Sequence, residues 1–227
     1  MCIFEELMKT LVPTLATLAF LAGLAPASAM PFYGPSGPQT SVPIAMVTAR
    51  GWSECFSGPY GEFGPSIESV LGGCTGDLLM MAGGATNSGE LDVLAWAPTS
   101  DVTFDTGDSN TPHDANGTGW YFNDNYSWGF AEQGGALYRN SCDYGDGDLF
   151  NTPDPLRLCW HTSGGFLAGG WRVGTVNFLN NSSEYTRYLF TADSPSAAEA
   201  PEPASIILTL TGMGYLVRRF RSRGKKA

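Results

Sequence analysis

Three aspartates, Asp143, Asp146 and Asp148, fall within nine residues of one another and are separated by Gly145 and Gly147. Closely spaced carboxylates with intervening glycines let a chain turn around Ca2+, which takes six to eight oxygen ligands. The spacing does not match an EF-hand loop, and a solvated acidic turn is the competing reading. Asp105, Asp108 and Asp114 make a second, weaker acidic stretch. No cofactor is implied beyond this candidate Ca2+ site, since no Gly-x-Gly-x-x-Gly turn or phosphate loop is present.

A second group of residues could bind rather than react. Trp120, Tyr121, Tyr126 and Trp128, with Phe122 and Phe130, concentrate aromatic surface in fifteen residues around Asn123, Asp124 and Asn125. Exposed on a sheet, such rings would form a platform for sugar rings, with the amides bonding hydroxyls. Aromatics alternating along strands also fill cores, and Asn-Asp-Asn is an ordinary turn. Support for catalysis is thin. The chain has only His113 and His161, and no serine sits in a Gly-x-Ser-x-Gly elbow. A carboxylate pair for glycoside hydrolysis needs no local pattern, so the acidic residues do not single one out. The expectation is a protein without a catalytic residue.

The elements that must position these groups read as short strands. The charged fraction is 15%, against about 25% in an average domain. With 29 Gly and 15 Pro, the composition favours many turns over long helices. Residues 44–50, 77–81, 91–97, 102–105, 119–122, 127–130, 157–161, 171–178 and 185–191 are rich in β-branched and aromatic side chains, and most lie between turn formers. Only 65–71 reads as a short helix, with Ser66 as its cap. The expected fold is all-β, a single β-sandwich or jelly-roll-like domain over residues 44–192. Pro31, Pro35, Pro38 and Pro43 mark 30–43 as an extended leader, and 193–200 as a linker rich in Ser, Ala and Pro.

Both ends read as targeting segments. Lys9 precedes an apolar run over 11–24, and Ala27-Ser28-Ala29 offers signal peptidase a small-residue site, so 1–29 reads as a signal peptide. Glu5 and Glu6 oppose the usual positive start, which favours translation from Met8. At the other end, Pro201-Glu202-Pro203 precedes an uncharged, mostly apolar stretch to Val217. Arg218, Arg219, Arg221, Arg223, Lys225 and Lys226 follow. This order resembles the PEP-CTERM sorting tail, over residues 201–227 only. The resemblance implies a bacterial surface or extracellular-matrix protein, transiently anchored in the inner membrane by a transmembrane helix. An exosortase-type protease would then cut near the motif, and exopolysaccharide is a partner the setting would supply. Clustered Lys and Arg hold their end in the cytoplasm, so the membrane would be met only through the tail before processing.

Export bears on the cysteines and on the charge. Beyond the signal peptide stand Cys55, Cys74, Cys142 and Cys159, an even number that suggests two disulfides. Three connectivities are open. Cys55–Cys74 with Cys142–Cys159 is favoured, because each pair closes a short loop of turn formers. Between Met30 and Pro203, 20 of the 22 acidic residues face five arginines, a net charge of about −15. Such a surface repels phosphates and anionic lipids, which excludes nucleic acid as a partner.

Overall fold

The computed structural model describes residues 34–107, 110–136 and 152–194. They form two antiparallel sheets. The first contains β1 (Gln39–Pro43), β2 (Ser53–Pro59), β4 (Leu78–Ala85), β5 (Glu90–Pro98) and β12 (Tyr185–Ala192), in the order β1-β5-β4-β12-β2. The second contains β3 (Phe63–Ser66), β6 (His113–Ala115), β7 (Thr118–Phe122), β8 (Ser127–Glu132), β9 (Leu158–Ser163), β10 (Phe166–Val173) and β11 (Val176–Asn177). Its order is β11-β10-β9-β8-β7-β6, with β3 sharing the β10 edge. The all-β expectation therefore holds.

The pattern of β4 explains the layering. Its apolar run is continuous, and alternate residues serve different layers. Leu79 and Met81 join Trp128, Phe130, Leu158 and Trp160 of the second sheet in the inter-sheet core. Leu78, Met80 and Ala82 point the other way, into a cluster with Val42, Val47, Trp52 and Leu94. The central strands β4 and β5 are thus buried on both faces, and each large apolar side chain withdrawn from water contributes about 1.5–3 kcal/mol.

Val47 belongs to α1 (Ile44–Ala49), which replaces the strand expected over 44–50. β-branched residues favoured a strand there, but Pro43 stands at the helix start and Ile44 and Val47 share one face against the outer cluster. The leader expected over 30–43 is also corrected. Its last five residues are β1, an edge strand in register with β5 from Gln39↔Leu94 to Pro43↔Glu90. Pro43 is tolerated because an edge strand leaves one row of N–H groups unused. In place of a strand over 102–105, α3 (Thr99–Val102) makes one turn, and Asp105 keeps a single bridge to Phe122. The strand expected over 171–178 folds back at Gly174, where φ is 55°, into the β10–β11 hairpin. The expected helix is α2 (Ile67–Gly72), and the Ser66 side chain accepts a hydrogen bond from the Ser69 N–H.

Buried polar groups tie the sheets together. Trp160 Nε1 donates to the Tyr60 hydroxyl at 3.0 Å, and that hydroxyl donates to the Arg172 carbonyl at 3.2 Å. Arg187, on β12, donates across the core to the carbonyls of Gly169 and Glu62 at 3.1 and 3.0 Å. Gly170 is required beside them, because a Cβ there would run into the Tyr60 ring. Burial pushes the Tyr60 pKa up and the Arg187 pKa down.

Cys55 and Cys74 are bridged, which ties β2 to the end of α2. A loop of this length is worth roughly 3 kcal/mol in the chain-entropy model. Cys159 is buried and disulfide-bonded, with its partner outside the described residues. The segments 1–29, 195–200 and 201–227, with Pro201, Glu202 and Pro203, also lie outside them, as does Cys142. Among the described residues no helix is long and apolar enough to cross a membrane.

Candidate functional site

The site begins at a two-residue turn. Asn116 and Gly117 have φ of 48° and 71°, the left-handed pair that closes a tight hairpin, and they join β6 to β7. This hairpin fixes His113 opposite Trp120 and presents it to α3. There His113 Nε2 meets Asp101 Oδ1 at 2.7 Å, with both side chains about one-third exposed. In a neutral imidazole bonded this way, Nε2 carries the proton and Nδ1 is left as an acceptor. The ring of Phe104 stacks on that of His113 at 4.3 Å.

The same hairpin anchors the incoming chain. Asn116 Nδ2 donates to the Trp96 carbonyl at 3.0 Å, and Trp96 Nε1 donates to the Pro35 carbonyl at 2.9 Å. The Gly37 N–H donates to the Asn116 carbonyl at 2.7 Å. The outgoing chain is held nearby, where the Ser194 N–H donates to Asp77 Oδ1 at 2.6 Å. The bonds from Ser194 hold the Asp77 carboxyl below its ordinary pKa.

These elements line a hollow of about 760 Å3 that is open to solvent, within the ~300–1,000 Å3 usual for small-molecule sites. Leu78, Trp96, Pro98 and Ala115 give it apolar walls, while Asp101, His113, Asp114 and Asn116 supply polar groups. Gly34 and Ser194 line it too, so the chain enters and leaves the sandwich beside it. Asp114 accepts a hydrogen bond from Gln133 Nε2 at 3.3 Å. Convergent polar groups on an apolar wall make a binding site. The Ser194 hydroxyl is held by Asp77 rather than by His113, so the histidine–aspartate pair does not extend to this serine.

Of the two readings of the aromatic segment, the core-filling one holds and the platform is corrected. Trp120, Trp128 and Phe130 lie in the inter-sheet core. Tyr121 is buried on the opposite face of its sheet, its hydroxyl donating to the Leu158 carbonyl. Of the four candidate glycan contacts only Tyr126 reaches solvent, at 38% exposure. The reason is position: β7 and β8 have neighbours on both sides in the second sheet and are covered on both faces.

The remaining candidates separate. Asp143, Asp146, Asp148 and Asp108 lie outside the described residues. Asp105 accepts from the Gly107 N–H and from Asn123 Nδ2, as in a local turn. His161 packs edge-on to Trp171 at 6.3 Å, and burial lowers its pKa. A smaller cavity of about 280 Å3 adjoins Asp92, whose pKa is raised by burial and by Glu90. Sequence reading named His113 and Asp114 without uniting them, and it missed Asp101 and Trp96. The Asn116-Gly117 pair was the available signal that His113 opens a hairpin. Comparison with family models, with curated proteins and with solved structures finds no match to this chain.

Proposed function

We propose that this chain is an exported surface or extracellular-matrix protein whose β-sandwich is a non-catalytic interaction domain that binds through the cavity at His113. Signal peptidase would release residue 30 onward. An exosortase-type protease would then process the tail at Pro201-Glu202-Pro203 and end its transient hold on the inner membrane. The observation that carries the reading is the order along the chain: a leader with a small-residue cleavage site, then a β domain, then motif, apolar stretch and basic end. The Cys55–Cys74 bridge supports it, because disulfides persist in oxidising compartments outside the cytosol. Intact mass spectrometry of surface and medium fractions from the native host tests it. A mass lacking both the leader and the residues after the Pro201 region is expected. A mass retaining the arginine-rich tail would instead make it a membrane-tethered protein.

One observation favours a second reading, a secreted hydrolase. His113 hydrogen-bonded to Asp101 beside a cavity is an arrangement that could activate a water as general base. Turnover on a panel of polysaccharides and esters, abolished in His113→Ala, would replace the binding role with a catalytic one.

A further inference from the structure

We infer that the cavity between α3, the β6–β7 hairpin and the end of β5 is a site for a neutral saccharide. The inference rests on the reading of the sandwich as a binding domain and names the ligand class of that same site.

Charge removes the first alternative. Two carboxylates, Asp101 and Asp114, line the cavity, within a mature segment of net charge about −15. Sulfated sugars, uronates and phosphates would be repelled by that field. The walls disfavour the second alternative, a bare metal ion. Ca2+ requires oxygens on most sides, whereas Leu78, Trp96, Pro98 and Ala115 present carbon.

A neutral sugar fits both halves of this lining. Its C–H faces pack on apolar and aromatic surface, while its hydroxyls are donors that need acceptors. Each carboxylate keeps lone pairs after its present bond, and a hydroxyl–carboxylate bond is short and charge-assisted. One Asn116 Nδ2 hydrogen goes to the Trp96 carbonyl, which fixes the amide and leaves its oxygen as a further acceptor. The His113 ring is held between Asp101 and Phe104, so its orientation is set before a ligand arrives. A preorganised site loses less freedom on binding. The Phe104 ring, 51% exposed, extends apolar surface beside the histidine.

The test is a glycan array probed with the full-length chain in mild detergent, carrying neutral gluco-, galacto- and manno-oligosaccharides beside uronic-acid and sulfated ones. Titration calorimetry on the best neutral sugar follows. Neutral oligosaccharides are expected to bind at least tenfold more tightly than acidic ones of the same length. Asp114→Asn and His113→Gln should each weaken binding tenfold or more, with melting temperatures near that of the parent. Phe63→Ala, which removes one ring of the exposed stack with Phe166, should leave binding unchanged. Preference for acidic sugars, absence of binding to any neutral sugar, or loss of binding only in Phe63→Ala would each overturn the proposal. Intact mass of the host-derived protein is read separately. A chain processed at both ends that binds no sugar overturns only the ligand class. A chain that binds sugar yet keeps its tail overturns only the reading of tail processing.

Discussion

Two aromatic regions of this protein invite the same interpretation and earn different ones. Residues 118–130 hold Trp120, Tyr121, Trp128 and Phe130, all buried between or upon the sheets. The region around the β6–β7 hairpin holds fewer rings, Trp96 and Phe104, yet these sit in or beside a cavity with two carboxylates and a histidine. Density of aromatic residues therefore tracks the core, and access for a ligand tracks the sheet margin. Side chains in interior strands have neighbours on every side. Those at a sheet's end are left to shape a concave surface.

The largest expected effect lies in the core region. Trp128→Ala should cost about 3–5 kcal/mol, read as a lower denaturant midpoint, because it opens a large cavity. It also strands the Val102 carbonyl that now accepts from Trp128 Nε1 at 3.0 Å. A loss below about 1 kcal/mol would mean that this ring is surface after all, and the contrast would collapse. Removing the Cys55–Cys74 bridge in a Cys55→Ala/Cys74→Ala variant should cost roughly 3 kcal/mol, seen as a lower melting temperature than the parent's with no reductant present.

Tyr60→Phe should cost about 1–3 kcal/mol, since the buried Trp160 Nε1–H and Arg172 carbonyl lose their shared hydroxyl partner. Thermal melts at one pH would show it. His161 sharpens the picture through pH. Burial lowers its pKa from the ordinary 6.5, so between its folded value and 6.5 the unfolded chain binds more protons. Stability from this group is present above pH 6.5 and falls as acid is added below it. The melting temperature of the parent should drop more between pH 7 and pH 5 than that of His161→Gln, and equal drops would remove His161 as the cause. The smallest effect belongs to the cavity: Asp114→Asn should shift stability by no more than about 0.5 kcal/mol, as exposed substitutions do. A large loss there would mark Asp114 as part of the structural frame.

Some features were legible because their signals are local. Ser66 three residues before the Ser69 N–H, the apolar run of β4, and two cysteines around a short loop all act over a few residues. The errors arose where distant residues overruled local preference. Residues 44–49 carry β-branched side chains, yet they coil because Ile44 and Val47 cap the outer face of β4 and β5. Residues 39–43 read as leader because prolines disfavour ladders, yet an edge of β5 stood open to receive them.

By itself the sequence determined the β class, the positions of most strands, the acidic charge, and the ends that resemble sorting signals. Each of these follows from composition or from a pattern with a period of a few residues. The tertiary structure decided which aromatics are hidden and where a ligand could enter. The cavity is assembled from Gly34, Leu78, Trp96, Asp101, His113, Asn116 and Ser194. No local periodicity connects these positions. They meet only because the strand order brings the end of β5, the turn of α3 and the β6–β7 hairpin to one margin of the sandwich.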